Sequence, residues 1–105
     1  MKTSYVYIIT NKNRTVFYTG ITANLTDRML RHRESRGSKF CAKYNVNTLI
    51  WFEIHMDIRD AIRRETQIKR WNRQWKIDLI RSKNPEMKDL LAKEGKAGGS
   101  PLSGG

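Results

Sequence analysis

The sequence predicts an α+β domain: a small three-stranded, mostly antiparallel sheet flanked by helices, in the order β-β-α-β-α-α. Three observations lead there. Ser4–Thr10 (SYVYIIT) and Thr15–Gly20 (TVFYTG) are β-rich runs separated by four polar residues, Asn11–Arg14, the pattern of a short hairpin. Thr48–His55 (TLIWFEIH) is a third run dense in β-branched and aromatic residues. The stretches after the hairpin and after the third run carry helical spacing behind capping residues. A chain of 105 residues supports one small domain with one core. That domain is expected to occupy 1–91. Residues 92–105, including Glu94–Gly105 (EGKAGGSPLSGG), form a Gly/Ser-rich tail with nothing to bury and are expected to be disordered.

In the hairpin, a loop holding Asn11–Arg14 pairs Thr10 with Thr15 and sets Tyr7 opposite Tyr18. Val6, Ile8 and Phe17 then point to the other face, which is apolar and suits a core. A slip of one residue would send the tyrosines to opposite faces, so their meeting depends on register. Asn24 reads as the N-cap of the first helix, with Asp27 in its first turn. Leu25, Arg28, Met29 and His32 follow at i, i+3, i+4 and i+7, the spacing of an inward stripe. Two of the four are cationic or titratable, and polar groups at such positions need partners or a reason. Two tyrosines, an arginine and a histidine thus converge on one wall. Arg36–Gly37 marks the end of this helix.

Gly37–Asn47 reads as an irregular loop or a short helical turn in which Lys39 and Lys43 alternate with Phe40 and Tyr44. His55, at the end of the third strand, reads as a surface residue. Asp57–Asn72 is a strong helix with Asp57 as N-cap and an inward stripe of Ile58, Ala61, Ile62, Glu65 and Ile68. A carboxylate on that stripe needs a cation beside it. Either an arginine such as Arg28 pairs with Glu65, or Glu65 is a divalent-metal ligand. Gln74–Arg81 continues as a further helix with Trp75, Leu79 and Ile80 inward, broken at Asn84-Pro85, and Glu86–Leu91 adds a final turn.

The net charge of +11, with a pI near 10.2, favours polyanionic partners and speeds their encounter, nucleic acid first among them. The second helix and its exit carry a single-signed run of cations interleaved with Trp71 and Trp75, which tilts the run toward phosphate contact. Lys39, Lys43, Arg64, Lys69, Arg70 and Arg73 are the expected nucleic-acid contacts. The tryptophans themselves are expected to pack the last helix. No run is long enough to span a membrane, and MKTSYVYIIT lacks the design of a signal peptide, so a cytoplasmic location is expected. The single cysteine, Cys41, excludes an intramolecular disulfide and has no motif around it. No Ser-His-Asp grouping, zinc-ligand spacing or Gly-rich phosphate loop is present.

Tyr5-Val6-Tyr7 and Tyr18-Thr19-Gly20, with Arg28 ten residues after Tyr18, resemble the signature of a stand-alone GIY-YIG nuclease domain over about residues 3–91. Tyr5 replaces the first glycine, Thr19 the usual aliphatic residue, and Ile21 stands where some members carry a lysine. The resemblance implies a divalent-metal-dependent endonuclease that hydrolyses phosphodiester bonds. Tyr7, Tyr18, Arg28, His32 and Glu65 would be its catalytic residues, with one Mg²⁺ or Mn²⁺ ion on Glu65. By resemblance Tyr7 positions and deprotonates water with Tyr18 hydrogen-bonded beside it, and the two can exchange roles. Arg28 would face the non-bridging phosphate oxygens, and His32 would orient a tyrosine or touch phosphate. With no appended recognition domain, weak sequence specificity and a preference for single-stranded or distorted DNA are expected. RNA is a further candidate partner, and no small-molecule cofactor is expected. The alternative is a non-catalytic DNA- or RNA-binding module on the same fold.

Overall fold

The computed structural model describes residues 3–33 and 43–91. Strands β1 (Ser4–Thr10), β2 (Phe17–Thr22) and β3 (Thr48–His55) form one antiparallel sheet in the order β2-β1-β3. Helix α1 (Leu25–Arg33) follows the hairpin, and α2 (Ile58–Arg70) and α3 (Arg73–Lys83) follow β3. The order is the β-β-α-β-α-α predicted.

The sheet is covered on both faces, so the molecule has two cores rather than the one expected. On one face Val6, Ile8, Ile50 and Trp51 pack with Ala61 and Ile68 of α2 and Ile80 of α3. On the other, Tyr7, Ile9 and Leu49 pack with Met29 of α1 and with Val46. Alternation along β1 therefore deals its side chains to two apolar layers, which accounts for a strand buried almost throughout. A bulge between Ile8 and Ile9 leaves Ile50 as the extra residue of β3 and lets both Ile50 and Trp51 reach the α2–α3 layer.

The hairpin differs from expectation by two residues. Thr10 pairs with Phe17, and Tyr7 lies opposite Gly20 rather than Tyr18. The cause is Asn11. Its Oδ1 accepts the backbone N–H groups of Thr15 (2.8 Å) and Val16 (3.2 Å), and its Nδ2 donates to Thr15 Oγ1 (2.8 Å). Residues that would begin the ladder are thus absorbed into the loop, which Arg14 rounds with φ 58°. A shift of two preserves parity, so Tyr7 and Tyr18 still share a face and Phe17 stays with Val6 and Ile8.

Each helix starts where its capping residue stands. Asn24 Oδ1 accepts the Asp27 N–H (3.0 Å), Asp57 Oδ1 that of Arg59 (2.9 Å), and Asn72 Oδ1 that of Trp75 (2.9 Å). The last cap ends α2 at Arg70, shorter than the helix expected to run to Asn72. After α3, the segment 84–91 is irregular rather than a helical turn, and it is held to the sheet. Buried Asn84 donates through Nδ2 to the carbonyls of Ile50 (2.9 Å) and Lys88 (2.8 Å) and accepts from Lys88 N–H (3.0 Å), while Leu90 N–H reaches Leu49 O (2.8 Å). The end expected for α1 near Arg36 and the expected tail lie outside the described residues, as do Lys39 and Cys41.

Asn84→Ala strands the Ile50 and Lys88 carbonyls. It should lower unfolding free energy by about 2 kcal/mol, read from the urea midpoint at unchanged slope.

Candidate active site on the tyrosine face

Tyr7 and Tyr18 come from adjacent strands and share the face covered by α1. Tyr7 is wholly buried and Tyr18 is half-buried. Both hydroxyl-bearing side chains are engaged with neighbours. What seats them is Gly20, the cross-strand partner of Tyr7. A Cβ built on Gly20 would lie 2.5 Å from Tyr7 Cζ and in collision with the hydroxyl oxygen, so the Tyr7 ring lies directly over the glycine backbone. The last residue of Tyr18-Thr19-Gly20 is therefore glycine because of the tyrosine across the ladder, not because of turn geometry.

Helix α1 closes this face through Leu25 and Met29, which join the Tyr7 layer. Arg28, between them on the same side of the helix, is half-buried. Among the described residues no carboxylate pairs with it; the acid of its own helix, Asp27, is paired with Arg31 (3.1 Å). A half-buried guanidinium with no carboxylate partner among the described residues is a donor fork suited to an anion. His32 belongs to α1 in its backbone, but its side chain lies outside the described residues.

Glu65 is on α2, in the layer across the sheet from α1. Its side chain is 18% exposed and pairs with Lys69 one turn on (3.2 Å), so the cation beside it is a lysine and not the arginine of the salt-bridge alternative. The inward face of α2 also differs from the predicted stripe. Ala61 and Ile68 are buried, but Ile58 and Ile62 are about half exposed, and Arg64 joins Glu65 at the margin instead. α2 lies across β1 and the edge strand β2. No described contact joins Glu65 to the tyrosines.

The expected nucleic-acid contacts divide by what already holds them. Arg64 Nε donates to Glu53 Oε1 (3.0 Å), Arg64 Nη1 donates to Gln67 Oε1 (2.8 Å), and the guanidinium stacks 5.4 Å from the Trp71 ring. Arg73 is spent on the hairpin loop, donating to the carbonyls of Thr15 (2.9 Å) and Arg14 (3.2 Å) over the Phe17 ring. Both guanidiniums therefore already have partners within the fold. Lys43, over the Tyr44 ring at 5.4 Å, Lys69 and Arg70 are exposed.

A Glu53–His55–Arg64 cluster was not foreseen. His55 Nε2 lies 2.7 Å from Glu53 Oε1, and both are about three-quarters buried or more, so His55 is not the surface residue expected. The signal was available: Trp51, Glu53 and His55 alternate onto the α2 face. Burial pushes the Glu53 carboxyl up, but hydrogen bonds and charge from His55 and Arg64 outweigh it and hold the group below its ordinary value.

Among known proteins, a GIY-YIG catalytic domain is matched over residues 3–78, and this chain belongs to that family, which places it in a nuclease superfamily. Its relatives include UPF0213 proteins. One from Staphylococcus haemolyticus is 34% identical over 76% of this chain and 96% of its own length, and one from Clostridium perfringens is 37% identical over 77% and 86%. The solution NMR structure of a UPF0213 protein from Bacillus halodurans superposes with a TM-score of 0.55 at 25% identity, covering 85% of this chain and 94% of that one.

Two predictions follow from these contacts. Gly20→Ala forces the Tyr7 ring off its seat and should cost about 1–3 kcal/mol of stability in urea denaturation, with the tyrosine NMR signals displaced. Because Glu53 titrates lower folded than unfolded, its contribution is complete above the ordinary carboxylate range and is lost as pH falls through the folded value. Glu53→Gln should therefore melt below wild type at about pH 7, with the gap closing toward about pH 3.

Proposed function

We propose that this protein is a divalent-metal-dependent DNA endonuclease acting on single-stranded or distorted DNA with weak sequence specificity. The observation that carries the reading is the tyrosine face: two phenols from adjacent strands, one locked over Gly20, on the side of the sheet that α1 covers, with Arg28 of that helix paired to no carboxylate among the described residues. A binding module has no need of that pairing, since phosphate contact is served by cations alone.

Arg28 is the group that neutralises the non-bridging phosphate oxygens, where charge builds as water attacks phosphorus. The tyrosines orient the attacking water and accept its proton, a role that positive charge nearby favours by stabilising phenolate. Tyr18 is the more exposed of the two residues, whereas water or phosphate reaches Tyr7 only where its surroundings give way. His32, one turn beyond Arg28, adds a donor to phosphate or to a tyrosine. Lys43, Lys69 and Arg70 contribute the exposed charge that draws the strand in.

GIY-YIG endonuclease domains use a divalent metal. Among the described residues no group of three or more His, Cys, Asp or Glu side chains forms a metal cage. A lone, partly buried carboxylate whose partner is an exposed lysine suits an ion that keeps most of its waters, Mg²⁺ or Mn²⁺, and Glu65 would hold it. Because Glu65 and the tyrosines lie on opposite layers, the scissile phosphate would have to sit at the β2 edge of the sheet for a bound metal to supply Lewis-acid relief of charge on the leaving 3′ oxygen.

The test is cleavage of a 5′-labelled single-stranded oligonucleotide with Mg²⁺ or Mn²⁺, wild type beside Glu65→Ala and Arg28→Ala, with EDTA controls. Turnover should fall by about 100-fold or more in each variant and vanish in EDTA. Wild type that binds the strand but never cuts it would make this a binding module instead.

A further inference from the structure

Trp75 is the largest of the exposed apolar side chains among the described residues. Expected to pack α3 inward, it is instead 56% exposed, while Ile80 takes the buried position. Exposing an indole forgoes the gain from burying its large apolar surface, so a tryptophan held outward calls for a further reason. It is not loosely held. Its backbone N–H is fixed by the Asn72 cap, and its ring meets Trp71 edge to face at 6.0 Å and 82°. Trp71 is in turn pinned by Arg64, which Glu53 anchors. Trp75 thus stands on a braced stack with much of its surface open.

Beside it runs an open cleft of about 550 Å³ between α2 and the start of α3, lined by Ile62, Arg63, Thr66, Gln67, Arg70 and the two tryptophans. Its charges are of one sign. Arg63 has only a long, exposed contact with Asp60 (3.4 Å), and no carboxylate among the described residues pairs with Arg70. A second copy of a chain carrying +11 would bring like charge to this cleft, and an apolar partner would leave Arg63 and Arg70 without a counter-charge. A nucleobase with its phosphates matches both features: a flat π-face for Trp75 and anions for Arg63 and Arg70.

We propose that this cleft is a base-stacking subsite for single-stranded nucleic acid, separate from the tyrosine face and on the opposite layer of the sheet. The inference rests on the nucleic-acid reading above. It adds that part of the affinity comes from a base rather than from phosphates, and that the strand engages both layers of the domain.

The experiment is fluorescence-anisotropy binding in EDTA, where cleavage is blocked. The full chain is titrated with a labelled oligothymidylate of about 12 nucleotides and with an abasic phosphodiester of equal length. Wild type should prefer the base-bearing strand. Trp75→Ala should weaken oligothymidylate about tenfold, Trp75→Phe should keep most of the affinity, and neither should change abasic binding. Equal affinity of wild type for the two strands, or equal loss on both in Trp75→Ala, would overturn the subsite while leaving a charge-driven nucleic-acid protein. Salt-insensitive binding, or none, would overturn the nucleic-acid reading as well. Circular dichroism melts of the variants check folding, and the comparison of strands on wild type decides even where a variant fails to fold.

Discussion

The contact between the Tyr7 ring and the backbone of Gly20 is the constraint on which the tyrosine face depends. It demands a glycine at one rung of the ladder and a large aromatic at the opposite one. It therefore ties the two signature triplets to each other through space rather than through sequence separation. It also fixes Tyr7 by burial, so the phenol is held by the sheet and not by a mobile loop. Helix α1 then needs only Leu25 and Met29 to dock on that layer, and docking brings Arg28 with it. The tyrosine face and the packing beneath it share the same residues here, so a change at Gly20 is expected to disturb both.

Charge is distributed by a similar economy. The chain has twice as many cations as acids, 21 against 10, so each well-paired acid frees or fixes specific arginines. Glu53 anchors Arg64, and backbone carbonyls of the hairpin loop anchor Arg73. Arg28, by contrast, is half-buried with no carboxylate partner among the described residues, a costly state for a guanidinium. The cations that build the fold and those left for a polyanion are thereby separable by partner rather than by position on a helical wheel.

The element order and the caps Asn24 and Asp57 were legible in the sequence because each rests on local chemistry, the two caps meeting their N–H groups within three residues; Asn72, read as the end of the second helix, instead caps the third. The shared face of the tyrosines was legible for a different reason, since parity survives a shift of two. The register itself was not, because the Asn11 side chain competes with the ladder for the N–H groups of Thr15 and Val16. The second core was missed because β1 reads equally well with one apolar face or two. The stripe of α2 and the exposure of Trp75 depend on how α2 and α3 rotate against the sheet, which side-chain spacing alone does not determine. The Glu53–His55–Arg64 cluster needs the β3–α2 contact before it exists at all.

The most direct test of the tyrosine face is NMR of the protein carrying ¹³C-labelled tyrosines, titrated in EDTA with a short single-stranded oligonucleotide. Four tyrosines report: Tyr5, Tyr7, Tyr18 and Tyr44. Engagement of phosphate between α1 and the β1–β2 ladder shifts the Tyr7 and Tyr18 signals in saturable steps, and the shifts diminish in Arg28→Ala. Saturable binding that moves Tyr44 and leaves Tyr7 and Tyr18 untouched would contradict the account, because the strand would then bind elsewhere on the surface.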